Sequence, residues 1–143
     1  MTSSRPKVWL WTIALVAWSV FVWGNRLNNL RTDDSSDTER LASLGMSALS
    51  LGLAAAALVF VVQAWRGGWS LPTATQRTVL RVFAGWTMGV WLVRGVGIAL
   101  DGRSVPFVVV HLVLAVVSIA IAARLWRCTD EVAAEPRGEF APK

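Results

Sequence analysis

Apolar residues fall in four runs, residues 8–24, 41–65, 79–100 and 105–126, with short polar stretches between them. A helix needs roughly 20 such residues to cross the ~30 Å hydrocarbon layer of a bilayer. None of the runs alternates with the polar face that a helix in water requires, so the pattern argues against a soluble bundle with an apolar core. It predicts an all-α membrane protein, a bundle of four transmembrane helices. The second run has no charged residue; the third carries Arg94 and starts beside Arg81. The fourth carries His111 and, near its end, Arg124. Arg5 and Lys7 precede the first run as in a secretory signal. That run, however, holds Trp9, Trp11, Trp18 and Trp23 and ends in Trp-Gly-Asn-Arg without a small-x-small cleavage site, so it reads as a retained helix.

The runs also repeat. Trp18, Val22, Trp23, Arg26 and Asp33 recur as Trp86, Val90, Trp91, Arg94 and Asp101 at one spacing of 68. The second and fourth runs both end in Trp-Arg, at Trp65-Arg66 and Trp126-Arg127, a spacing of 61. The expected architecture is two tandem two-helix hairpins, residues 8–66 and 79–127, within one transmembrane domain spanning 8–127. The first hairpin would have the longer connecting loop. Two hairpins of even span number share an orientation, so a pseudo-two-fold axis along the membrane normal would relate them. Residues 128–143, with Pro136, Gly138 and Pro142, read as a mobile tail in which the lone Cys128 is a bystander.

Counting Lys and Arg in the short loops fixes the expected orientation. One side holds Arg5, Lys7, Arg66, Arg77, Arg81, Arg124, Arg127, Arg137 and Lys143; the other holds Arg26, Arg31, Arg40, Arg94 and Arg103. The first set is larger, which places both chain ends in the cytoplasm and the protein in the cell membrane. Trp9, Trp11, Trp65, Trp69 and Trp126 then fall at the inner boundary as anchors, and Trp23 and Trp91 nearer the outer one. Trp18 and Trp86 sit deeper and read as helix-packing residues.

Composition narrows the function. Hydrophobic residues make up 55% of the 143 and charged residues 16%, the balance of a membrane bundle. Basic residues are nearly all Arg, and Ala, Val and Trp are abundant, a usage expected of a GC-rich bacterial genome. The net charge of +5 suits orientation and anchoring in the lipid bilayer, because no basic stripe interleaved with aromatics outside the membrane offers a nucleic-acid surface. One cysteine excludes an internal disulfide, and one histidine excludes a two-histidine haem site. No span holds a carboxylate pair for acid–base work, a metal-ligand cluster or a lysine for a Schiff base. No cofactor and no enzymatic activity are expected.

What remains is a polar cluster in the outer half. Arg94 and Asp101 are seven apart, as are Ser104, His111 and Ser118, which puts each set on one helix face. His111 lies about 8 Å along the fourth helix from Pro106, level with Arg94. Charges inside a bilayer are costly and normally find partners, so Arg94 and His111 are candidates to bind an anionic or polar headgroup, a quinone-like carbonyl or a partner's carboxylate. The plainer alternative has Arg94 snorkelling to lipid phosphate and His111 bonding a neighbouring helix. The repeat adds Arg26 and Asp33 to the cluster, with cross-pairs Arg26–Asp101 and Arg94–Asp33 joining the halves. Small residues mark close approach: Ser43, Ser47, Ser50, Ala54 and Ala57 on one seam of the second helix, Ala48, Gly52 and Ala56 on another, and Gly85 with Gly89 in the third.

The stretch from Arg81 through Phe83, Trp86 and Thr87 to Arg94 resembles the Arg-x-Phe-Gly-x-Trp-Thr…Arg signature of the ergosterol-biosynthesis scaffold family. Gly24-Asn25 is similar to the end of that family's first helix. The likeness covers about fifteen residues. Here the signature lies in the third helix rather than the second, and the His and Glu that follow it in that family are missing. As a whole the chain resembles small uncharacterised integral membrane proteins of actinobacteria. The scaffold resemblance implies a four-helix membrane protein that tethers enzymes and performs no catalysis. The expected function is therefore a non-catalytic accessory or scaffold protein that docks on another membrane protein or on itself. The alternatives are a small oligomeric transporter or channel, or a lipid- or quinone-binding protein, using Arg94 and His111.

Overall fold

The computed structural model describes residues 5–30, 36–100, 102 and 104–134. Among them are four helices: α1 (Arg5–Asn29), α2 (Asp37–Arg66), α3 (Ala74–Leu100) and α4 (Val105–Ala134). Each is long and apolar enough to cross a membrane, which makes this a multi-pass membrane bundle. Local sequence sets the starts. Ser36 caps α2 in a reciprocal capping box with Glu39. Thr73 and Gln76 do the same before α3, and Gln76 reaches back to Gln63 on α2 at 3.1 Å. Between α2 and α3, Gly68 and Trp69 both take the left-handed conformation (φ 69° and 60°), and the Trp69 N–H closes the turn on the Ala64 carbonyl.

Packing runs around a square. α1 lies against α2 and α4, and α3 lies against the same two, so α1 and α3 face each other across the bundle. One end, the two-loop end, joins α1 to α2 and α3 to α4; the other, the terminal end, holds the α2–α3 connection, the start of α1 and the end of α4. The apolar core fills the terminal end, where Trp9, Leu15, Leu80, Phe83 and Leu125 are fully buried. In lipid the apolar effect does not hold helices together, so close packing and interhelical hydrogen bonds must. The seam expected on α2 is used in this way: Ser43, Ser47, Ser50, Ala54 and Ala57 are all buried. The second seam, Ala48 and Gly52, points outward, as does Gly89 on α3.

Some helix bounds and buried positions also lie 68 apart. α2 and α4 begin and end 68 positions apart. Buried Ser47, Ser50, Ala54, Ala57, Val61 and Ala64 of α2 correspond at that spacing to buried Ala115, Ser118, Ala122, Leu125, Thr129 and Val132 of α4. On α1 and α3, Thr12, Leu15, Val16, Ser19 and Trp23 correspond in the same way to Leu80, Phe83, Ala84, Thr87 and Trp91. Trp65-Arg66 and Trp126-Arg127 do not hold equivalent places: Arg66 closes α2, whereas α4 continues seven residues beyond Arg127. Helices α3 and α4 run from Ala74 to Ala134, past the expected span of 79–127 at both ends.

Two further expectations are corrected. The chain does not leave the bundle at Cys128, because Cys128, Thr129 and Val132 continue the buried stripe of Ala122 and Leu125. Arg81 on α3 fastens this stretch, donating to the Thr129 hydroxyl at 3.3 Å, pairing with Asp130 and lying 5.8 Å from the Trp126 ring centre. Trp9 is not a boundary anchor. It is a core residue, 1% exposed, whose indole N–H donates to the Ser70 carbonyl at 2.9 Å. Trp65, Trp69 and Trp126 are exposed near the terminal end, as boundary anchors would be.

Candidate functional site

Three of the four helices meet at the two-loop end around a cavity of about 330 Å³. From α1, Val22, Arg26 and Asn29 reach it on one face, at spacings of four and three residues, with Phe21 and Asn25 at the rim. Trp91 and Arg94 of α3 form the back wall, with Trp23 beside them. Val110, His111 and Leu114 of α4 form the remaining side. Phe21, Asn25 and Val110 are exposed, so the cavity opens between α1 and α4 to the outside of the bundle. One helical turn deeper, Trp18 donates its indole N–H to the Ser118 hydroxyl at 2.8 Å and joins α1 to α4 below the cavity.

The expected cluster is therefore partly assembled. Arg26, Arg94 and His111 share the cavity, whereas Asp33 and Asp101 lie outside the described residues, and with them both cross-pairs. Trp23 and Trp91, expected nearer a lipid boundary, are each 5% exposed and serve as walls. Asn25 and Asn29 were not anticipated as site residues. Their signal was present in the last turn of α1, where Asn25, Arg26 and Asn29 make one polar arc.

Electrostatics sets this cavity apart from the rest of the bundle. Arg26 and Arg94 are close enough for their like charges to interact, and none of the described residues lining the cavity is acidic. Arg26 donates through Nη2 to the Ser43 hydroxyl on α2 at 3.1 Å, while its Nε is buried with no hydrogen-bond partner among the described residues. Arg94 has neither a hydrogen bond nor an ion pair among them. His111 is held by its Nδ1, 2.8 Å from the Phe107 carbonyl, and its ring packs on Phe107 at 4.0 Å between centres. A polar group kept from water without a partner costs free energy, and two cations in one largely apolar pocket with no carboxylate beside them among the described residues cost more. The arrangement is one that an anion would complete.

Among the described residues no group of three or more His, Cys, Asp or Glu is arranged to hold a metal ion. Comparisons with family models, with curated proteins and with solved structures find no match to this chain.

Proposed function

We propose that this protein is a membrane-embedded binder of an acidic amphiphile, whose headgroup enters the cavity between Arg26 and Arg94. The observation that carries the reading is the pair of arginines lining one largely apolar cavity, with no carboxylate among the described residues of its lining. Bidentate guanidinium contacts suit phosphate and carboxylate, and exclusion of water strengthens them. The cavity is small for a ligand site, at the low end of a range of roughly 300–1,000 Å³, which suits a headgroup better than a whole lipid. The hydrocarbon chains would lie outside, along the α1–α4 groove beside exposed Phe21 and Val110.

The loop charges support a cell-membrane protein with cytoplasmic termini, which puts the two-loop end and its cavity on the outer side. The 68-residue correspondence supports an origin by tandem duplication, with a pseudo-two-fold axis through the centre of the square. Such an axis exchanges α1 with α3 and α2 with α4, and hence Arg26 with Arg94.

The test uses the purified full chain in a neutral detergent, titrated with short-chain phosphatidylglycerol or phosphatidylcholine. The acidic lipid should raise the unfolding temperature of the wild type and have little effect on Arg94→Gln. Equal effects of both lipids on both proteins would contradict the proposal.

A docking role is favoured by a different face. Gly45 and Gly52 on α2 have no atom within 4 Å of an added Cβ, and Ala48 is exposed with them, leaving room for a helix of another protein. This supports the accessory reading suggested by the scaffold resemblance. Affinity purification in mild detergent tests it: a stoichiometric membrane-protein partner is expected, and Gly52→Leu should release it.

A further inference from the structure

Resting on the acidic-amphiphile reading, we infer that the bound headgroup also carries a hydroxyl, and that this hydroxyl donates to Nε2 of His111. The ligand class is a monoanionic phosphodiester lipid with a hydroxylated headgroup.

The tautomer comes first. Nδ1 of His111 lies 2.8 Å from the Phe107 carbonyl oxygen, which can only accept. Nδ1 is therefore the protonated nitrogen, and in the neutral ring Nε2 carries the lone pair. Ring packing on Phe107 fixes the orientation as well as the tautomer. His111 lines the cavity, and its Nε2 has no hydrogen-bond partner among the described residues. The site thus presents guanidinium donors beside one directed acceptor. A plain anion satisfies the first and not the second.

The correspondence between the two halves explains why this acceptor is left over. Ser43 on α2 and His111 on α4 are 68 positions apart, as are Arg26 and Arg94. In the first half the pair is closed internally, because Arg26 donates to Ser43. In the second half the larger ring stands where the serine would be, is held by its own helix through Phe107, and receives nothing from Arg94. Arg26 thus has one nitrogen, Nη2, tied to Ser43, whereas neither Arg94 nor Nε2 of His111 has a hydrogen bond among the described residues. The cavity opens toward His111 and not toward Ser43, in agreement with that asymmetry.

A hydroxyl-reading acceptor discriminates between lipids of equal charge. Phosphatidylglycerol and phosphatidylmethanol are both monoanionic phosphodiesters, and the glycerol hydroxyls distinguish them. The experiment measures affinity of the purified full chain in neutral detergent for the dihexanoyl form of each, and for glycerol 1-phosphate as the soluble headgroup. Wild type should prefer phosphatidylglycerol by about three- to tenfold, the yield of one added hydrogen bond. His111→Leu should abolish that preference while retaining phosphatidylmethanol affinity, and His111→Gln, which keeps an acceptor, should restore part of it. Arg94→Gln should weaken both lipids by about ten- to a hundredfold. Equal wild-type affinities, both lowered by Arg94→Gln, would overturn the hydroxyl assignment and leave the acidic-amphiphile reading standing. Failure of both lipids to bind would overturn that reading itself. Glycerol 1-phosphate binding as tightly as the lipid would overturn the lipid assignment in favour of a soluble phosphate. The wild-type comparison needs no variant, so misfolding of a mutant does not remove the test.

Discussion

Trp18 on α1 donates its indole N–H across the helix interface to the hydroxyl of Ser118 on α4. Trp86 on α3 does the same to Ser50 on α2 at 3.0 Å, and both its residues stand 68 positions from their counterparts in the first bond. The two contacts close the two interfaces between the halves, α1–α4 and α2–α3. Ser118→Ala and Ser50→Ala each leave one indole N–H unsatisfied inside the bundle. Both should lower stability in detergent by a similar amount, about 0.5–2 kcal/mol. A silent substitution at one site beside a severe one at the other would mean that the two contacts are not equivalent.

The last turns of α4 belong to the fold. Ending the chain after Ala134 should leave thermal stability close to wild type. Ending it after Arg127 removes buried Cys128, Thr129 and Val132 and the partners of Arg81. The expected loss is roughly 2–4 kcal/mol, of the size seen when buried side chains are deleted. Equal unfolding temperatures for the two truncations would show that this stretch contributes nothing.

Two glycine substitutions should act in opposite directions. Gly68 has φ of 69°, a region that a Cβ disfavours, so Gly68→Ala should destabilise the α2–α3 turn by about 1 kcal/mol. Gly52 lies inside α2 with open space around it, so Gly52→Ala should stabilise the isolated protein by up to about 1 kcal/mol. Unfolding in detergent reads both. Destabilisation by Gly52→Ala would indicate a close neighbour on that face, such as a second copy.

Orientation is tested by alkaline phosphatase fusions. Fusions after Arg40 or Arg103 should be active, and fusions after Gly68 or at Lys143 inactive. The reverse pattern would contradict the loop-charge argument and move the cavity to the cytoplasmic side.

The helices themselves were legible because hydropathy over twenty residues is a property of each segment alone. So were the α2 seam, whose small side chains mark close approach whatever the neighbour, and the shared level of Arg94 and His111, which follows from helical rise. Less legible was anything that depends on which helices touch. Trp9 looks like a boundary anchor until Ser70 is found beside its N–H. Cys128, Thr129 and Val132 lie past the apolar run, in a stretch of α4 where Arg81 of α3 donates to Thr129 and pairs with Asp130. The Trp-Arg pairs at spacing 61 were misleading because identical residues at a chain position need not share a place in the packing. The correspondence at 68 in α2 and α4 joins Ala54 to Ala122 but Ser47 to Ala115 and Ala57 to Leu125, so it is visible as burial and hardly at all as identity.

The central claim, that Arg26 and Arg94 hold an anionic headgroup, is tested most directly by native mass spectrometry of protein extracted in mild detergent. Wild type should retain one acidic lipid per chain through detergent exchange, and Arg26→Gln/Arg94→Gln, folded by circular dichroism, should retain none. Wild type that carries no lipid, or a double variant that carries the same lipid at the same occupancy, would contradict the account.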